Sequence, residues 1–105
     1  SALPWHTRAM TDGGRSNDDI ARRLQALMTA LGRNQSAFAV LVEITQPAMS
    51  NYVKGLRRPQ LDEAMKIVAK TGVTLDWIYL GDRAGLPSRL LEVLPDLSDQ
   101  PRKAG

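Results

Sequence analysis

Apolar residues along this chain recur at three- and four-residue spacings, and they sort it into a series of short amphipathic helices. A first helix is predicted from about Asn17, where Ser16 or Asn17 can cap and Asp18 with Asp19 sit by the positive end of the helix dipole. Ile20, Leu24, Leu27, Met28 and Leu31 then draw one apolar stripe, Arg22, Arg23 and Gln25 fall off it, and Gly32 ends the run. After a turn at Arg33 and Asn34, a second helix from Gln35 to Val42 turns Phe38, Leu41 and Val42 inward, with Ala39 small enough to admit a close neighbour. Ile44 reads as an apolar plug in the next turn and Thr45 as the N-cap of a third helix. Pro47 fits there, because proline is tolerated in the first turn, where its missing donor is not needed. Gly55 is the natural stop.

A fourth helix is predicted from Leu61 to Lys70, opened by Asp62 and Glu63, closed by Lys70, and with Leu61, Ala64, Met65 and Val68 as its core side. Gly72 stops it, and Thr74 caps a short fifth helix through Leu80 with Asp76 in its first turn. Residues 81–85 form a loop, and Pro87 starts a sixth segment carrying Leu86, Leu90, Leu91 and Leu94 that Pro95 ends. That segment is too short to stand alone, so it packs on its own domain or on a twin. For Trp77 and Ile78 the default is sealing the core, with a subunit interface as the other reading. Residues 1–16, which mix Pro, Gly, Thr and single charges without a period, are expected to be an unstructured arm, and 98–105 a frayed tail. The division is therefore 17–80 as one domain with 81–97 as a C-terminal extension. Met10 ahead of TDGGRS reads as a natural starting residue, with Ser1 to Ala9 expected to be an expression remnant.

The third helix has two unlike sides. With about 100° per residue from Gln46, the residues Gln46, Ser50, Lys54, Pro47 and Asn51 fall between zero and roughly 140°. Ala48, Met49, Tyr52 and Val53 fall between roughly 200° and 340°. One side is built to pack. The other offers two amides, a hydroxyl and an ammonium, groups that reach base edges and phosphates. Leu56, Arg57 and Arg58 follow Gly55 and bring two more cations.

The composition permits this reading. A chain of 105 residues with 43% hydrophobic content suits one small domain, and fourteen Lys and Arg against eleven Asp and Glu give a net charge of +3. That mild excess allows a polyanionic partner without requiring one. The absence of cysteine excludes disulfides, thiolate catalysis and thiolate metal sites together. His6, with no ligand cluster around it in sequence, is not a metal site. The longest apolar run, Phe38 to Val42, is far short of the ~20 residues of a membrane span, and SALPWHTRAM is not a secretory signal. No Gly-rich phosphate loop or nucleophile signature is present, and the acidic pairs Asp18-Asp19 and Asp62-Glu63 are neighbours that do not share a helix face. An enzyme is not expected, nor a cofactor.

Two short helices joined by a turn of about three residues, the second with an exposed polar side, define a helix-turn-helix. The run Gln35, Phe38-Ala39, Ile44-Thr45-Gln46, Met49-Ser50, Gly55 and Pro59, followed by Leu61, Ile67 and Gly72-Val73-Thr74-Leu75-Asp76, closely resembles the Cro and phage-repressor (xenobiotic-response-element) class. The resemblance spans roughly Ile20 to Leu80 and implies an all-α, compact five-helix repressor-like DNA-binding domain, here with an extra short C-terminal helix. It also implies that Gln35 grips a phosphate and braces Gln46, and that Gln46 reaches a base, commonly adenine. Pro47, Ser50 and Asn51 would face the groove, with Asn51 the second base reader. Lys54 would hold phosphate, and Arg57 or Arg58 would touch the backbone or the groove floor. Two positions depart from the family pattern. Glu43 stands where glycine is usual, at roughly 1 kcal/mol or more if the backbone there is left-handed, and Pro47 replaces a residue that in many relatives bonds a base.

The expected function is that of a sequence-specific double-stranded DNA-binding transcriptional regulator in the cytoplasm, on the nucleoid. A homodimer is expected, because two reading helices about 34 Å apart cover enough base pairs to discriminate a palindromic operator. The dyad is expected in the region from Trp77 to Leu94, with Trp77, Ile78, Leu86, Leu90 and Leu94 as interface candidates. Repression by occlusion is the outcome favoured over activation. A small-molecule effector, if any, would need a pocket in these same helices. The alternatives are a protein-interaction module that keeps the fold without binding DNA, and the antitoxin half of a toxin-antitoxin pair.

Overall fold

The predicted helices form, and four of them start at a residue whose side chain caps the first turn. The computed structural model describes residues 15–96, which hold six α-helices and no strand: α1 (Asn17–Leu31), α2 (Gln35–Val42), α3 (Gln46–Val53), α4 (Leu61–Thr71), α5 (Leu75–Leu80) and α6 (Ser88–Val93). Of the expected arm, residues 1–14, with the expected expression remnant and Trp5, His6 and Arg8, lie outside the described residues, as does the tail from 98, whereas Arg15 and Ser16 are described at the entrance of α1. Ser16 opens α1 by accepting from the Asp19 amide at 3.1 Å, while its hydroxyl donates to the Asp19 carboxylate at 2.9 Å, a reciprocal capping pair. Burial alone raises the pKa of Asp19, but hydrogen bonds from Arg22 and Ser16, with the charges of Arg22 and Arg23, bring it below the ordinary value. Asn34, Thr45 and Thr74 cap α2, α3 and α5 in the same way, accepting from Ala37, Ala48 and Trp77 at 2.8, 3.4 and 3.0 Å.

The core gathers Ile20, Leu24 and Leu27 of α1, Phe38, Ala39 and Val42 of α2, Met49, Tyr52 and Val53 of α3, and Ala64 and Ile67 of α4. Ile44 plugs the turn between α2 and α3 as expected and is buried. Met28, Leu31 and Leu41 are only partly buried and pack on the margin.

Arg23 departs from the sequence reading. It is buried, 5% exposed, and its guanidinium donates to the Ile78 carbonyl at 2.8 Å. That carbonyl belongs to the last turn of α5, whose final carbonyls have no partner within their own helix. A cation there also opposes the negative end of the dipole. Arg23 thus ties α1 to α5 from inside.

Helix α4 is rotated from the predicted face. Of the predicted face, Ala64 is buried and Val68 packs on the core as expected, but Leu61 and Met65 are 56% and 53% exposed, and Ile67 and Thr71 are buried in their place. The buried trio centres on a line roughly 80–120° around the helix from Leu61 and Met65. Ile67 supplies the bulk that the predicted face assigned to Met65.

Of the two readings left open for Trp77, Ile78 and the last helix, the single chain adopts packing on its own core. Trp77, Ile78, Leu86, Leu90 and Leu94 are all at most 5% exposed within the single chain. α6 and the segment before it fold back onto their own domain, so these side chains complete its core and present no surface to a twin. Arg83 fixes that return by donating to the Leu94 and Leu91 carbonyls at 2.7 and 3.2 Å. The exposed apolar side chains of the same region are Leu80, Leu91 and Val93.

Candidate nucleic-acid interface

Helix α3 is held by one side. Met49, Tyr52 and Val53 are buried against α1 and α2, Ala48 is partly buried, and the Tyr52 hydroxyl donates to the Glu63 carboxylate at the start of α4. The remaining side faces outward: Gln46, Pro47 and Lys54 are exposed, and Ser50 and Asn51 are half-buried. The packing that fixes α3 therefore leaves free the groups that helical arithmetic assigns to the outer side.

Gln46 is oriented before any ligand arrives. Its amide nitrogen donates to the Ser36 carbonyl at 3.1 Å, bridging the first turns of α2 and α3. Gln35, expected to brace it, is half-buried and makes no hydrogen bond through its side chain among the described residues; the backbone one residue on takes that role. Because a carbonyl accepts only from the NH2 end, the amide cannot be flipped. One N–H and the oxygen Oε1 of this exposed side chain have no partner among the described residues, a donor beside an acceptor. That pair matches the N7 acceptor and N6 donor of adenine in the major groove.

The turn carries its acid in compensated form. Glu43 closes α2 with φ 61° and ψ 42°, the only positive φ outside glycine among the described residues. From α4, Lys66 donates to the Glu43 carbonyl at 3.1 Å and Lys70 stands 3.4 Å from its carboxylate. These two lysines, which follow the reading helix in sequence, thus serve the turn.

The loop after α3 is anchored at several points. Gln25 donates to the Val53 carbonyl at 2.6 Å, the amides of Leu56 and Arg57 share the Asn51 carbonyl at 3.0 and 3.4 Å, and Tyr79 donates to the Pro59 carbonyl at 2.7 Å. Burial raises the pKa of Tyr79, against a smaller opposing effect of the Arg58 charge. Gly55 adopts φ 78° with Asp18 where a Cβ would go. Lys54, Arg57 and Arg58 are all exposed, but Arg58 donates through Nε to Asn17 Oδ1 and through Nη2 to the Arg15 carbonyl, both at 2.8 Å. Sequence reasoning missed that engagement, as it missed the buried Arg23.

The helix-turn-helix family model HTH_3 matches residues 14–78, which takes in α1 to α4 and most of α5. The chain belongs to this Cro/C1-type helix-turn-helix family. Searches of curated proteins and of solved structures found no match. As a member of HTH_3 the chain is a DNA-binding helix-turn-helix regulator, all-helical and with a short helix added after the matched region. No described helix is long and apolar enough to cross a membrane.

Proposed function

We propose that this chain is a sequence-specific repressor that binds a palindromic operator in double-stranded DNA as a homodimer, in the cytoplasm. The observation that carries the reading is the exposed Gln46 amide, held by the Ser36 carbonyl with its second N–H and its oxygen unpaired at the start of α3. Gln46 and Asn51 read base edges, Ser50 assists, and Pro47 offers an apolar surface to a thymine methyl. Gln35, Lys54 and Arg57 hold phosphates and set the register. Two copies are needed because one such helix reads only a few base pairs. With the five interface candidates enclosed in the core, the pairing surface draws on Leu80, Leu91 and Val93.

The test is selection of bound duplexes from a random pool, followed by affinity measurements at two salt concentrations. Affinity falls steeply with salt, and the recovered site is two-fold symmetric. Arg57→Ala weakens binding to every duplex alike, and Gln46→Ala flattens preference at one base position per half-site. Absence of binding at low salt, or equal effects of both substitutions on all sequences, overturns the reading.

A further inference from the structure

Three cations border the reading helix, and the structure treats one of them differently. Lys54 and Arg57 make no hydrogen bond or ion pair through their side chains among the described residues. Arg58 has its Nε on Asn17 Oδ1 and its Nη2 on the Arg15 carbonyl. Nε and Nη2 lie on the same edge of the guanidinium, an edge that elsewhere takes two phosphate oxygens side by side. Here both atoms on that edge already have oxygen partners.

Those partners lie on either side of the Ser16 cap of α1. The bonds join the entrance of α1 to the loop that follows α3. Gly55 lies against Asp18 in the same corner, so the loop meets α1 at two successive places. Between them stands Arg57, whose side chain is free but whose backbone amide is held on Asn51, a proposed base reader.

We propose that Arg58 is a positioning residue for DNA binding: its clamp on Asn17 and the Arg15 carbonyl holds the loop so that Lys54 and Arg57 meet the phosphate backbone in register with α3. This rests on the DNA-binding reading above. It reassigns Arg58, which sequence reasoning grouped with the phosphate ligands, and it gives Asn17, an uncharged residue at the start of α1, a part in DNA affinity. Asn17 follows the N-cap and accepts no capping bond of its own helix, so replacing it leaves the Ser16 cap in place.

The experiment measures the affinity of the full chain and of N17A, R58A, R58K, the N17A/R58A double variant and R57A for one selected duplex across a salt series, with circular dichroism confirming that each is folded. N17A and R58A each weaken binding about 3- to 10-fold, and the double variant is no weaker than R58A alone, because both remove one clamp. R58K retains the charge but lacks the fork and binds like R58A. The magnitude of the salt slope falls by about 0.9 in R57A, the change for one phosphate no longer neutralised, and stays at the wild-type value in R58A. The proposal is overturned if N17A binds as well as wild type or better, if the losses multiply in the double variant, or if R58A loses the same slope as R57A and R58K restores it. A wild-type chain without salt-dependent affinity instead overturns the parent reading, which sets the two failures apart.

Discussion

Glu43 and Gly81 close α2 and α5 in the same left-handed backbone conformation, with φ of 61° and 80°, and each has cationic side chains beside it. At Gly81 the cation is buried: a Cβ built there would stand 2.8 Å from Arg23 Nη2 and 3.1 Å from its Cζ and Nε. At Glu43 the cations are Lys66 and Lys70 on the surface, and the residue itself is exposed. The difference lies in what surrounds the backbone. A half-buried turn backed by a buried arginine has no room for a side chain, whereas an exposed turn bears only the conformational cost of a Cβ, which surface pairing partly offsets.

Arg23→Ala is the largest expected break. It removes the donor that satisfies the Ile78 carbonyl and leaves space beside Gly81, so stability falls by about 2–4 kcal/mol in urea unfolding. A loss below ~1 kcal/mol would mean that water replaces the guanidinium at the end of α5 without difficulty. Gly81→Ala comes next, at about 2 kcal/mol, from the left-handed cost together with the displaced Arg23. The two are coupled. In an Arg23→Ala background the same Gly81→Ala substitution should cost only the backbone component, about 1 kcal/mol, and additive losses would show that the contact with Arg23 is unimportant.

Glu43→Gly has the opposite sign. It relieves the left-handed strain and loses an exposed ion pair of small value, for a net gain of about 0.5–1 kcal/mol by the same urea measurement. A net loss would assign Glu43 an attraction to α4 stronger than exposed pairs normally have. The carbonyl that accepts from Lys66 belongs to the backbone and survives the substitution.

Much of this was legible in advance, for reasons visible in particular residues. Thr45, Pro47 and Ile44 fixed the start of α3 because a cap, a first-turn proline and an apolar plug each fit one register. The outer side of α3 followed from its 100° spacing, and the glycine usual at Glu43 pointed to the left-handed backbone as the conformation to look for there. Arg23 was not legible in this way, although it lies three residues from Ile20 and four from Leu27, on the edge of the apolar stripe. Its charge argued for solvent, and a partner carbonyl on α5, 55 residues away in sequence, helps to make burial tolerable. Leu61 and Met65 failed for a related reason: several helical faces of α4 carry apolar residues, and the choice among them is made by α2 and α5. The engagement of Arg58 with Asn17 spans 41 residues and leaves no periodic trace.

The smallest expected effect sharpens the exposed half of the comparison. Lys70→Ala removes the partner of the Glu43 carboxylate, a pair 3.4 Å apart with side chains 45% and 65% exposed. Solvent and salt screen such a pair, so the loss is about 0–0.5 kcal/mol at low ionic strength and vanishes near 1 M salt, where the Debye length is about 3 Å. Lys66→Ala differs in kind, because its partner is a carbonyl dipole and its modest contribution should persist at high salt. Urea unfolding of both variants at low and high salt checks the distinction. Equal salt sensitivity would show that the two lysines act on Glu43 only through its net charge, and that the Lys66 hydrogen bond adds nothing of its own to the turn.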